Sequence, residues 1–102
     1  MKAVTIKAEL ATEVDGTTFR NRPLTLREWL RVQEEGLPTG NLERALDVFC
    51  DTLLGWDNLE GATYDKQKSG EFNAQLVPVS AIIKVAKAVM ENSRLSEEDL
   101  GN

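Results

Sequence analysis

A chain of 102 residues with 41 % hydrophobic and 28 % charged side chains has the make-up of one globular domain around one core, not of a disordered segment. Its 12 Lys and Arg against 17 Asp and Glu give a net charge of −5, which opposes binding to phosphate-rich polymers. A single cysteine excludes an internal disulfide, and no apolar run approaches the ~20 residues of a membrane span.

The first ten residues alternate. Val4, Ile6, Ala8 and Leu10 are apolar, while Thr5, Lys7 and Glu9 are polar, which is the period of a strand with one buried face. The same alternation lacks the continuous apolar stretch of a secretion signal, so the expected location is a reducing cytoplasm. Asp15-Gly16 suits a type I′ turn, and Thr17, Thr18 and Phe19 supply the return strand, which predicts a β-hairpin over residues 1–20. Pro23 keeps Arg22 extended. Thr25-Leu26-Arg27-Glu28 then matches the capping box, so a helix is predicted over 25–35 with Leu26, Trp29 and Leu30 on one face. Gly36 and Pro38 end it.

Asn41 is the expected N-cap of a second helix over 41–54. Leu42, Ala45, Leu46, Phe49, Cys50, Leu53 and Leu54 recur at helical spacing, and Gly55 stands where a left-handed cap residue is expected. Residues 57–70 are polar and lack helical period, predicting a long loop. Phe72, Ala74 and Leu76 alternate with Asn73 and Gln75, predicting a short strand over 71–77. Pro78 and Ser80 open a third main helix over 80–92 with a stripe of Ile82, Ile83, Ala86, Val89 and Met90. Residues 93–102 are acidic; Ser96 caps a short helix there or the segment frays. The fold expected is α+β, a small antiparallel sheet packed with three main helices in one domain.

Chemistry is constrained by what is missing. There is no histidine, which removes the commonest general base and metal ligand and excludes Ser-His-Asp and Cys-His nucleophile pairs. Cys50 lies on the apolar stripe of the second helix and one thiolate cannot build a zinc site. Asp57-Asn58-Leu59-Glu60-Gly61 has Leu59 where a calcium loop needs an oxygen ligand. The carboxylate pairs Glu34–Glu35 and Asp57–Glu60 are neighbours on a helix end and a loop rather than groups facing across a cleft. No enzyme activity, cofactor or metal is expected. Trp29 reads as core. Trp56, at the mouth of the long loop, reads either as a plug of the core or as a partner anchor extended by Leu59, Tyr64 and Phe72, since tryptophan is enriched where binding energy concentrates.

The order of these features resembles the small tail assembly chaperones of long-tailed bacteriophages. Asp15-Gly16, Phe19-Arg20, Pro23-Leu24-Thr25 and Glu28 precede two helices; Gly55-Trp56-Asp57-Asn58-Leu59 and then Leu76-Val77-Pro78-Val79-Ser80 follow. The resemblance spans roughly residues 4–90, with Tyr64 to Glu71 standing as an insertion relative to it. It implies a protein that binds the tape measure protein, helps tail tube subunits assemble around it, forms homo-oligomers in the host cytoplasm and is absent from the finished virion. It also implies a longer frameshifted form. Two other readings compete: a head–tail joining or tail-completion protein retained in the particle, and a small acidic inhibitor of a basic partner.

Overall fold

The computed structural model describes residues 8–35 and 41–93. It has the expected α+β class: a three-stranded antiparallel sheet with four helices. The strands are β1 (Leu10–Val14), β2 (Thr17–Asn21) and β3 (Leu53–Asp57), in that order across the sheet. The helices are α1 (Leu26–Glu35), α2 (Leu42–Thr52), α3 (Gly70–Ala74) and α4 (Val79–Asn92).

The hairpin forms at the expected turn. Asp15 and Gly16 both take positive φ, 50° and 85°, and Val14 pairs with Thr17. Among the described residues the strand begins at Leu10; residues 1–7, where the predicted alternation starts, lie outside the described part. The parity persists, however: Leu10 and Val14 continue the even-numbered apolar face and are buried. On β2, Thr17, Phe19 and Asn21 turn inward.

The capping box of α1 is formed in full. The Thr25 hydroxyl accepts from the Glu28 amide at 3.2 Å, and the Glu28 carboxylate accepts from the Thr25 amide at 2.8 Å. Asn41 caps α2 by accepting from the Arg44 amide at 3.1 Å. Ser93, just beyond α4, ties the end of that helix to the segment between β2 and α1. Its hydroxyl accepts from the Leu24 amide at 2.9 Å and donates to the Val89 carbonyl. The expected turn at 36–40 and the expected short helix after Ser96 lie outside the described residues.

Two expectations are corrected. The second helix does not reach Leu54: it stops at Thr52, and Leu53 to Asp57 pair with β2 instead. The helical spacing of Leu53 and Leu54 is overridden because the edge of β2 offers a hydrogen-bonding partner that a further helical turn would leave unmet. Gly55 is therefore a strand residue rather than a helix cap. A Cβ there would stand 2.8 Å from Arg20 Nη2, so glycine lets the guanidinium cross. In place of the predicted strand over 71–77 stand the helix α3, ending at Ala74, and a turn over residues 75–77, with Ser69 as N-cap accepting from the Phe72 amide at 3.1 Å. Five or six residues carry too few turns to separate period two from period 3.6. Ser69 followed by Glu71 was the available helix-start signal.

The core is one cluster. Leu10, Val14, Phe19 and Trp56 from the sheet meet Ala45, Val48 and Phe49 of α2 and Ile82, Val85, Ala86 and Val89 of α4. α2 packs on α4, and α4 also lies against β1. α1 contributes less: Val32 is buried and Trp29 half-buried against the core, while Leu26 and Leu30 are 53 % and 47 % exposed.

Candidate partner-binding surface

The residues around Trp56 are assembled by strand register. β3 sets Trp56 opposite Phe19 on β2. Phe19 meets Phe49 of α2 edge-on at 5.9 Å between ring centroids, Trp56 at 6.2 Å, and Trp56 meets Tyr64 at 5.3 Å. Such edge-to-face pairs add about 0.5–1.5 kcal/mol each beyond area burial. The Trp56 indole donates from Nε1 to the Ala62 carbonyl at 3.4 Å, and the ring is only 5 % exposed. Of its two sequence readings, Trp56 thus occupies the core position in this structure.

The long loop is folded back onto this row of rings. Asn58 takes positive φ of 66°, which asparagine tolerates, and its carbonyl accepts from the Thr17 hydroxyl at 3.0 Å. Leu59 and Tyr64 are half-buried against the core. Further along, Asn73 is fully buried and serves as the loop's anchor. Its Oδ1 accepts from the Asp65 amide at 2.9 Å, and its Nδ2 donates to the carbonyls of Asp65 at 2.9 Å and Ser69 at 3.0 Å. Gly70 brings α3 against α2 closely enough that a Cβ would lie 2.1 Å from the Cys50 carbonyl oxygen. Neither Asn73 nor Gly70 was singled out from sequence. A buried asparagine and a close glycine look locally like ordinary loop residues.

Of the four predicted contact residues, Trp56, Leu59 and Tyr64 are brought together on the core, and Phe72 stands elsewhere. Phe72 is 44 % exposed with the Lys68 ammonium 5.5 Å from its ring centroid. One helical turn further on is Leu76, 45 % exposed, and Val79 at the start of α4 is 53 % exposed. Three large apolar side chains within eight residues thus mark the corner between α3 and α4.

The electrostatics are local. Arg22 grips Glu28 through two hydrogen bonds, Nη1 to Oε1 at 2.9 Å and Nη2 to Oε2 at 3.1 Å. With the Thr25 amide, this holds the Glu28 carboxyl down to about 2. The cleft between α1 and α2, about 340 Å³, mixes Glu28, Arg31, Arg44, Asp47 and Asp51 and so carries no field of one sign. Burial, then the carboxylates of Asp51, Glu71 and Asp47, push the Cys50 thiol up to about 11, which keeps it protonated and unreactive at neutral pH. Among the described residues no three carboxylate or thiol groups converge on a metal-sized site. No helix of the described residues is long and apolar enough to cross a membrane.

Comparison with protein-family models, with curated proteins and with solved structures found no match to this chain.

Proposed function

We propose that this chain is a protein-binding module of phage tail assembly, a chaperone that holds apolar helical segments of the tape measure protein while tail tube subunits assemble around it in the host cytoplasm. In this reading it has no catalytic role and is not retained in the virion. The order of sequence motifs motivates the assignment. The structural observation that supports it is the exposed apolar corner of Phe72, Leu76 and Val79. Exposed apolar side chains this close in sequence, interspersed with exposed polar residues such as Glu71 and Gln75, suit an amphipathic helix laid across them. Trp56 then works from inside: it anchors the loop that leads to α3, and Asn73 carries that anchorage into the helix presenting Phe72.

The test is co-expression with the tape measure protein encoded alongside it. The expected result is a soluble complex that the double substitution Phe72→Asp, Leu76→Asp abolishes while leaving the chain's own thermal midpoint nearly unchanged. A tape measure protein that stays insoluble with the wild-type chain would sink the reading. Finding the chain by mass spectrometry in purified virions would replace it with a head–tail joining or completion role.

A further inference from the structure

The two edges of the sheet are finished differently. β3 ends one side, where its register with β2 shifts at Arg20/Asn21 and the loop folds back on Trp56 and Tyr64. β1 ends the other side, and among the described residues no strand lies beyond it. Its pairing with β2 is regular over all five residues. Val14 and Thr17 close a two-residue turn, so Leu10, Thr12 and Val14 turn their backbone groups to β2, while Ala11 and Glu13 turn theirs outward. Natural edges are commonly blunted by proline, lysine, a bulge or an inward-pointing charge. Leu10–Val14 has none of these. Thr12 shares the inward face with Phe19 and stands between two buried residues, yet it is itself half exposed. The core therefore ends at this edge without a cover.

The edge also carries one sign of charge. Glu9, just before the strand, and Glu13 share the outward parity, with Asp15 beyond them. All three are exposed, and none is in an ion pair among the described residues. Arg20, the basic residue among the strands, is drawn the other way: its Nε lies 3.7 Å from Asp57 Oδ2, and its Nη2 crosses Gly55. A second copy would meet like charge. Full antiparallel register about Thr12 sets Glu9 against Asp15, and shifts of two residues set Glu9 against Glu13 or Glu13 against itself. We propose that β1 is a docking edge for an extended segment of a partner protein, which adds to the sheet as a fourth strand. The segment carries basic residues four positions apart, opposite Glu9 and Glu13, and apolar residues opposite Leu10 and Thr12. The outward backbone groups of Ala11 and Glu13 supply its hydrogen bonds, and the alternating side chains supply its selectivity. This site is separate from the α3–α4 corner and is tested without the tape measure protein, so either reading can fail alone.

Amide hydrogen exchange by NMR on the full chain is the experiment, with a synthetic peptide containing Lys-Val-Thr-Val-Lys as the probe. The Ala11 and Glu13 amides are expected to exchange freely in the chain alone and to slow at least about tenfold with peptide. Ala11→Pro removes an outward donor at a place where an edge strand accepts proline, and should abolish the binding. Glu13→Lys leaves the backbone untouched. It should weaken the peptide about tenfold at low ionic strength and bind a Glu-Val-Thr-Val-Glu counterpart more tightly than wild type does. Amides already slow in the isolated chain at every concentration would show that the chain's own first residues cover the edge. Slowing with protein concentration alone would show that a second copy does. Either result would overturn the proposal, as would a peptide that leaves both amides unchanged, a reordered Lys-Lys-Val-Val-Thr peptide that binds as well, or binding indifferent to both substitutions.

Discussion

The side of the molecule built on β3, the 58–69 loop and α3 differs from α1 in how its side chains are used. On the first, an aromatic row from Phe49 through Phe19 and Trp56 to Tyr64 is continuous, and Asn73 satisfies the loop's polar backbone from a fully buried position. On α1, among the described side chains, Val32 is buried and Glu28 and Trp29 partly so, while two leucines face outward. Their apolar content is similar, four of ten residues on α1 and eight of the 22 from Leu53 to Ala74, so composition alone does not tell them apart. The difference lies in what meets those residues: three neighbouring elements in one case, a single cleft wall in the other. Substitutions on the first side should therefore register in stability, and substitutions on the outer face of α1 should leave it nearly unchanged.

The largest effect is expected at Trp56. Trp56→Ala removes the ring that joins Phe19 to Tyr64 and should lower unfolding free energy by about 3–5 kcal/mol in urea titration. A loss below about 1 kcal/mol would mean that the aromatic row does not hold this side together. Asn73→Ala comes next. It leaves the Asp65 amide without its partner and removes one of two donors from each of the carbonyls of Asp65 and Ser69, which keep the backbone amides of Lys68 and Asn73, and should lower stability by about 1–2 kcal/mol. Hydrogen exchange should rise first in the loop; uniform acceleration across the sheet would contradict its role as a local anchor.

A smaller effect belongs to the Arg22–Glu28 pair at the start of α1. The folded state holds the Glu28 carboxyl at about 2, below its ordinary 4.5. Its stabilisation is therefore complete above about pH 4.5 and is lost as the pH falls to about 2. Because the two side chains are 36 % and 32 % exposed, solvent screening limits this to about 1 kcal/mol. Denaturation curves taken across that window should show the loss in wild type and not in Glu28→Gln. The smallest effect is at Leu30, 47 % exposed, where Leu30→Ala should change the unfolding free energy by less than about 0.5 kcal/mol in the same urea titration.

Local chemistry wrote several parts of the fold directly. Asp15-Gly16 gives a hairpin turn, Thr25 and Glu28 a capping box, Asn41 an N-cap, and the stripe over α4 a buried helix, because each depends on residues within a few positions of one another. The absence of histidine was likewise legible at once. Where two local patterns competed, tertiary partners decided. Leu53 and Leu54 continue the helical period of α2, yet the unpaired edge of β2 drew them into a strand. Phe72, Ala74 and Leu76 alternate like a strand, yet Ser69 and the close packing of Gly70 on Cys50 made the segment a helix.

The same division runs through the candidate surfaces. For α1, α2 and α4 the sequence alone determined which apolar residues lie on which side, since that follows from 3.6 residues per turn. Only the tertiary structure decided which of those sides the rest of the chain covers. Burial is a property of neighbours brought from distant positions: Phe19 and Tyr64 enclose Trp56, while no described neighbour encloses Leu26, Leu30 or Phe72 to the same degree.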